Sequence, residues 1–357
     1  MNHTTLNSQR GGAALIVTLM LFLAMALAAF AVNRHLVFEQ RSAANQARAT
    51  QAFEAAEAGL EWAQAQLNST QRIGADCLPS TDPAALSFRE RYLAIDSATG
   101  AITAAALNPS CVRTGSGWVC SCPASGPAGL SAPTGTEPAP AFSLQFQPAS
   151  RAAGAVRVSA SGCTSLAGAC QPGSTATADA TAHTEVTLAL FAGLRTPPAA
   201  ALTTRDAASQ TADQFFAATF GIDKATWQRQ PVVARLRCDV DCGPAIHDAI
   251  AAGGTLIWVD GDLTLTAPVT LGSAAQPVVI AASGAAHLDG SVTVVGAVYA
   301  ASVSLGSASA IVQGAVLNEG AYVGPASPDF RRDSAVLTTL THHTGSFVRL
   351  SGSWRDF

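Results

Sequence analysis

Apolar and polar positions along the chain change their period several times, and each change marks a new element. From Ala13 to Val32 there are twenty consecutive residues without a charge. The following stretch, Asn33 to Asn68, contains no Pro and only Gly59 as a glycine, and is rich in Ala, Gln, Glu, Arg and Leu. These are strong helix formers. Phe53, Ala56, Leu60, Ala63 and Leu67 recur at spacings of three and four, which lines up an apolar seam. The pattern predicts one continuous helix over 13–67, about 80 Å long at 1.5 Å per residue. Its first part, 13–32, is long enough to cross a hydrocarbon layer of about 30 Å.

Downstream the period drops to two. "FSLQFQPAS" (142–150), "GAVRVSASG" (154–162) and "TAHTEVTLALFA" (181–192) alternate as half-buried strands do and predict an antiparallel meander. Such a sheet would bury the Ala seam of the helix. Residues 69–135 are dense in Pro, Gly and Ser and read as loop, with one strand at 117–122. The helical period returns over 204–230, where Thr211 is a candidate N-cap and Phe215, Phe216 and Phe220 share a face closed by Gly221. That phenylalanine group is expected to be core rather than a binding box. From 254 to 330 a weak repeat appears, with Ile257, Val278, Val298 and Val316 marking units of roughly 18–22 residues. Short β-rich runs broken by Gly or Asp-Gly predict a parallel β-solenoid of three to four coils. A β-sandwich with hairpins at the Asp-Gly steps is the alternative. The fold class expected is α+β: a long helix packed on an antiparallel sheet, then a mostly β C-terminal domain.

Composition fits thin β layers and Ala-rich helices. Hydrophobic residues reach 48%, but aromatics only 6% and charged residues 12%, with a net charge of −4. No basic block is present, so a nucleic-acid partner has no electrostatic footprint. All eight cysteines (Cys77, Cys111, Cys120, Cys122, Cys163, Cys170, Cys238 and Cys242) follow the apolar segment, which favours disulfides formed in an oxidising compartment. Their spacings match paired zinc ligands poorly. Loop closure favours Cys163–Cys170 and Cys238–Cys242, the short loops. In a strand, Cys120 and Cys122 would face one side.

Candidate chemistry is sparse. Asp239 and Asp241 sit between two cysteines and read as solvated carboxylates of a tight loop, although a D-x-D pair invites a Ca²⁺ question. Asp260 and Asp262 raise the same question and fall at an Asp-Gly step, where turn residues are the commoner reading. Asp262, Asp289 and Glu319 are scattered, and Lys and Arg are absent from 254–330. A strand would point the adjacent His342 and His343 to opposite faces. No Ser–His–Asp set, P-loop or dinucleotide fingerprint is found. An enzymatic role is therefore not expected, and neither a cofactor nor a metal is called for.

The start of the chain bears on function. A half-apolar, half-amphipathic helix beginning right after Arg10-Gly11-Gly12 resembles a type IV prepilin. That resemblance implies cleavage by a prepilin peptidase between Gly12 and Ala13, with Gly11 as the alternative site, followed by methylation of the new amino terminus. It also implies that the apolar helix is retained. Ordinary pilins carry Glu at the fifth mature position; here Val17 stands there (Ile16 for the Gly11 site), as in subunits at filament tips. "FEQRSAANQARATQAFEAAEAGLEWA" is similar to the identifying stretch of PilX-type minor pilins, with Glu39, Asn45, Phe53 and Glu57 as the matching positions over about residues 9–66. "VDGDLTL" and the closing "GSWRDF" resemble the C-terminal parts of larger members, less specifically.

What the resemblance implies is a minor pilin at or near the pilus tip, priming assembly and presenting its C-terminal region for adhesion. A tip pseudopilin of a type II secretion system is the alternative. Implied partners are the peptidase, other minor pilins and the major pilin through the helix, the inner membrane before assembly, and a host-surface or tip-adhesin partner. The implied location is a single-pass inner-membrane protein with a periplasmic bulk, then the extracellular pilus. The expected segments are a leader at 1–12, the helix at 13–67, a disulfide-bearing pilin-like β domain at 68–200, a helical connector at 201–253, the solenoid at 254–330 and a C-terminal helix/strand cap at 331–357.

Overall fold

The computed structural model describes residues 10–115, 117–131, 139–149, 153–166, 170, 180–306 and 309–356. The fold is α+β: a long N-terminal helix and a mostly β remainder with antiparallel and parallel sheets. Two compact units divide the chain, Met1–Gln51 and Ala52–Phe357. In the first, helix α1 (Arg10–Leu67) begins, and every residue from Ala14 to Thr50 is exposed. This helix is long and apolar enough to cross a membrane, which suggests a membrane anchor. Residues 1–9 of the expected leader lie outside the described residues.

In the second unit the rest of α1 turns amphipathic as its sequence requires. Ala56, Leu60, Ala63 and Leu67 are fully buried, while Glu54 and Glu61 stay exposed. The described part of 69–135 holds more short elements than its composition predicts. It holds α2 (Phe88–Tyr92), the small hairpin β1 (Leu93–Ile95) and β2 (Ile102–Ala104), and the hairpin β3 (Ser110–Thr114) and β4 (Gly117–Ser121). α2 is started by a complete capping box, in which Ser87 Oγ accepts from Glu90 N–H while Glu90 accepts from Ser87 N–H. Disulfides Cys77–Cys122 and Cys111–Cys120 tie this stretch down, so short strands persist where composition alone reads as loop.

The meander follows as β5 (Ala141–Pro148), β6 (Ala155–Cys163) and β7 (Thr181–Ala192), paired antiparallel in sequence order. Residues 167–169, within the turn expected between Cys163 and Cys170, lie outside the described residues; the Cys163–Cys170 bridge itself is formed. Phe142, Leu144, Val156, Val158 and Leu188 close one core with the α1 seam. At Gly162 the helix and β6 touch backbone to backbone: an added Cβ would lie 2.1 Å from Ala52 O and 2.4 Å from Ala56 N.

Beyond β8 (Leu202–Thr204) the stretch read as helical, 204–230, holds two short helices, α3 (Ala212–Phe220) and α4 (Lys224–Trp227). The physical reason is local. Thr211 and Gln214 form a capping box that starts α3, and Gly221 ends it in the left-handed region at φ 81°. β9 (Val233–Leu236) and α5 (Gly243–Ala251) follow, with the Cys238–Cys242 bridge between them.

Then come β10 (Leu256–Val259), β11 (Leu263–Leu265), β12 (Val269–Leu271), β13 (Val278–Ala282), β14 (Ala285–Leu288), β15 (Val292–Ala300), β16 (Ser302–Leu305), β17 (Ile311–Asn318), β18 (Tyr322–Val323) and β19 (Asp329–Arg331). All their pairings are parallel, so the Asp-Gly steps carry no paired hairpin. The chain alternates between an eight-stranded sheet, β19-β17-β15-β13-β10-β9 with β8 and β12 attached, and a four-stranded one, β11-β14-β16-β18. Ile257 aligns with Ile280, Ile280 with Val298 and Val298 with Val316. The second marker of the repeat is therefore Ile280 rather than Val278, two residues along the same strand. Buried side chains of both sheets fill the space between them, whereas the other face of the large sheet is covered by α3, α4 and the helix α6 (Ser334–His342). Strands covered on both faces read as unbroken apolar runs, as in "VVIAA" of β13.

The C-terminal segment serves both β regions, with α6 against the large parallel sheet. After α6 the chain returns to the antiparallel sheet, where β20 (Gly345–Arg349) and β21 (Arg355–Asp356) both pair with β7. The order of that seven-stranded sheet is β20-β7-β6-β5-β3-β4 with β21 beside β7. Buried Phe347 joins the helix core, which explains why this strand belongs with α1.

Candidate functional site

Among the described residues none form a group of three or more His, Cys, Asp or Glu suited to a metal ion. Three of the candidate acids, Asp241, Asp260 and Asp262, are instead satisfied by nearby partners. Asp241 accepts from Gly243 N–H at 3.0 Å, and Asp262 from Ala285 N–H at 2.8 Å. Asp260 accepts from Trp258 Nε1 and from Arg235, each at 2.8 Å. Its partial burial raises the carboxyl, but these bonds and the charges of Arg235 and Arg237 outweigh that and hold it below the ordinary value. Asp262 precedes β11 and Asp289 follows β14, at opposite ends of their paired strands, and Glu319 follows β17 in the other sheet. The structure therefore does not bring these acids together. Glu319 finds its cation from outside 254–330: Lys224 and the Tyr299 hydroxyl both donate to Oε1. That bond, with burial as the larger cause, raises the Tyr299 hydroxyl. Phe216 and Phe220 stack on each other and meet Trp227 and Tyr299 edge-on in a buried aromatic core.

His342 closes α6 and His343 is its C-cap, so neither lies in a strand. Burial, then the charge of Arg89, lowers His343 below the ordinary histidine value. Arg89 itself is lowered to about 10 by burial. Its Nε donates to Leu67 O, an orphan carbonyl at the end of α1, and a terminal nitrogen donates to Gly345 O, both at 2.9 Å.

The helix motif has more to show. Gly12 and Ala13, at the expected processing junction, are residues of α1, and Val17 is 56% exposed. Glu39 and Asn45 are exposed, and Glu39 lies 3.2 Å from His35 Nδ1 one turn earlier. Phe53 meets Trp354 edge-on with ring centroids 6.4 Å apart, and Glu57 Oε1 accepts from Trp354 Nε1 at 2.8 Å. The same face of α1 continues through Glu61, Gln64 and Asn68 at spacings of four, three and four, so all five stand in one line. Arg349 places Nε on Gln64 Oε1 and a terminal nitrogen in charge contact with Glu61, each at 2.8 Å. Asn68 accepts from Phe347 N–H at 2.7 Å and donates to Phe347 O at 2.9 Å, as a neighbouring strand would. The outer edge of β20 is thereby closed by a side chain.

The C-terminal strands thus clasp the helix on the line that carries Phe53 and Glu57. Sequence reading singled out those two positions and "GSWRDF" separately but did not join them. The polar residues that follow the seam positions Ala56, Leu60, Ala63 and Leu67 by one, about 100° round the helix, were the available signal.

Comparison with known proteins bears on this helix. Residues 10–61 match the family model described as PilX N-terminal. No curated protein and no solved structure matches the chain. The match, together with the long apolar helix, is consistent with a PilX-type pilin and supports a minor-pilin role in a type IV pilus. The family is structural rather than enzymatic, and it suggests assembly with other pilins and a location in the pilus.

Proposed function

We propose, from the premise that residues 10–61 carry a PilX-type N-terminus, that this chain is a minor pilin placed at or near the pilus tip. In this reading a prepilin peptidase removes residues 1–12, the chain starts at Ala13 with a methylated amino group, and the bulk beyond α1 is periplasmic until assembly. The observation that carries the tip placement is Val17. In a shaft, the fifth-position carboxylate receives the free amino terminus of a neighbour, because an unpaired charge among apolar helices is costly. Val17 offers no such acceptor, which is tolerable where no neighbour demands one.

The region beyond residue 200 supports the same placement. We read its alternating parallel sheets as the coils of a short solenoid, spaced by roughly 18–23 residues. Such a body suits a filament end better than a close-packed shaft, and its outer faces are the surface offered for adhesion. Gly12, Ala13, Val17, Glu39, Asn45, Phe53 and Glu57 are the residues assigned to processing and assembly.

The test combines N-terminal sequencing with immunogold labelling of native pili. A mature start at Ala13 and one or a few gold particles at one pilus end are expected, with loss of pili on deletion. Labelling along the whole shaft at major-pilin density would overturn the tip placement, and a start after Ala31 would overturn the pilin reading.

A further inference from the structure

Past the apolar segment the charges of α1 are sorted by side, and nothing in the clasp uses the positive ones. Past the apolar segment the only cationic side chains of the helix are Arg34, Arg41 and Arg48, seven residues apart. A seven-residue step on an α-helix drifts by only about 20°, so the three guanidinium groups stay within about 40° of one line. The helix's carboxylates, Glu39, Glu54, Glu57 and Glu61, fall roughly 140–200° away from Arg34 at about 100° per residue. No arginine has a Glu three or four residues from it, so these charges do not serve the usual stabilising pairs within a helix.

All three arginines are exposed. Arg34 lies over the Phe30 ring at 6.0 Å. Arg41 and Arg48 have no ion pair among the described residues, and Glu39, two residues before Arg41, faces His35. Between the arginines the same side carries Phe38 and Asn45, and Ser42, Ala44 and Ala49 on its flanks keep the cylinder slim, which lets another helix approach closely.

We propose that this stripe is a docking line for the acidic side of a neighbouring pilin helix, one carrying carboxylates at about the same seven-residue spacing. The inference rests on the minor-pilin reading above and adds to it the face and the partner chemistry. Guanidinium groups suit this role because their planar fork meets a carboxylate through two bonds. An anionic lipid surface accounts for less. Arg34 stands two residues past Val32, at the edge of the apolar segment, but Arg41 and Arg48 lie about 10 and 20 Å further along the axis. A headgroup field decays within a Debye length of about 8 Å and does not reach Arg48. A staggered acidic helix engages all three, and its chief effect is on register and choice of neighbour.

The experiment uses the full-length chain in its own cells, with two double variants of matched charge change. Arg41→Gln with Arg48→Gln removes two positive charges from the stripe. Ala43→Glu with Ala47→Glu makes the same net change on the far side of the helix. Membrane levels of both should equal wild type, since every altered residue is exposed. Recovery in sheared pili is expected to fall at least fivefold for the first pair and to stay within twofold for the second. A photocrosslinker at Asn45, read in the membrane fraction, should capture another pilin helix at an acidic segment. Unchanged recovery of the arginine pair overturns the proposal, as does a position-45 adduct to lipid alone. Absence of the wild-type chain from pili would count against the minor-pilin reading instead, and the position-45 adduct then still decides the stripe.

Discussion

Replacing Gly162 by Ala tests whether the helix seam and β6 meet as closely as their sequences allow. The added methyl would sit 2.1 Å from Ala52 O, 2.4 Å from Ala56 N and 3.0 Å from Ala56 Cα. Ordinary contact begins near 3.4 Å, and all three obstacles are backbone atoms, so no rotamer change relieves the clash. The helix turn must lift by about 1 Å, which loosens Ala56 and Leu60, both fully buried, from Phe142 and Leu144. Overpacking usually costs about 1–3 kcal/mol, and a backbone obstacle puts this case at the upper end. For a unit of this size that corresponds to a drop in Tm of roughly 5–10 °C. Gly59→Ala is the graded comparison: its methyl would meet the Phe142 ring at 3.0 Å, a side chain that can give, so a smaller loss is expected. Gly129→Ala meets nothing within 4 Å and should shift Tm by less than about 1–2 °C. Thermal unfolding of the detergent-solubilised proteins, followed by tryptophan fluorescence, gives the ranking. A Gly162→Ala protein that melts with the Gly129→Ala control would refute the backbone-to-backbone packing.

Three further predictions follow from the same contacts. Opening Cys77–Cys122 by paired Ser substitution releases a loop of 45 residues and should cost about 4 kcal/mol on the chain-entropy account, against about 2 kcal/mol for Cys238–Cys242 with its separation of 4; urea unfolding of the two double variants would give equal losses if loop length were irrelevant. Trp354→Ala removes both the bond to Glu57 and the ring contact with Phe53, whereas Trp354→Phe keeps an aromatic ring and loses the bond, so proteolysis at the C-terminus should accelerate most for Ala and less for Phe; equal rates in all three proteins would remove the clasp from the account. His343 is lowered in the folded state, so the unfolded chain binds the proton more readily: its contribution is intact above the ordinary histidine value near 6.5 and is lost as pH falls below it, and His343→Gln should flatten the decline in Tm between pH 7 and pH 5, with parallel curves as the contrary result.

The sequence determined the elements whose signal is local. Twenty uncharged residues followed by a three-and-four apolar seam specify α1, because burial of one helix face depends on period alone. Strict alternation specifies β5, β6 and β7 for the same reason. Thr211 and Gly221 mark the ends of α3, since caps are read within one turn. The motif Glu39, Asn45, Phe53 and Glu57 was legible as a pattern on that helix.

Pairing between distant segments was decided only in three dimensions. β20 and β21 join β7 from more than 150 residues away, and nothing in "GSFVR" says which sheet it completes. Its choice follows from a site that exists only after folding: Phe347 fills the helix core, Asn68 matches its backbone edge, and Arg349 and Trp354 find Gln64 and Glu57. The partners of Cys77 and Cys120 are likewise set by which segments become neighbours, because a disulfide records proximity in the fold and not spacing in the chain. Lys224 serves Glu319 across 95 residues on the same principle: a carboxylate that burial would penalise is met by whichever cation the topology brings within reach.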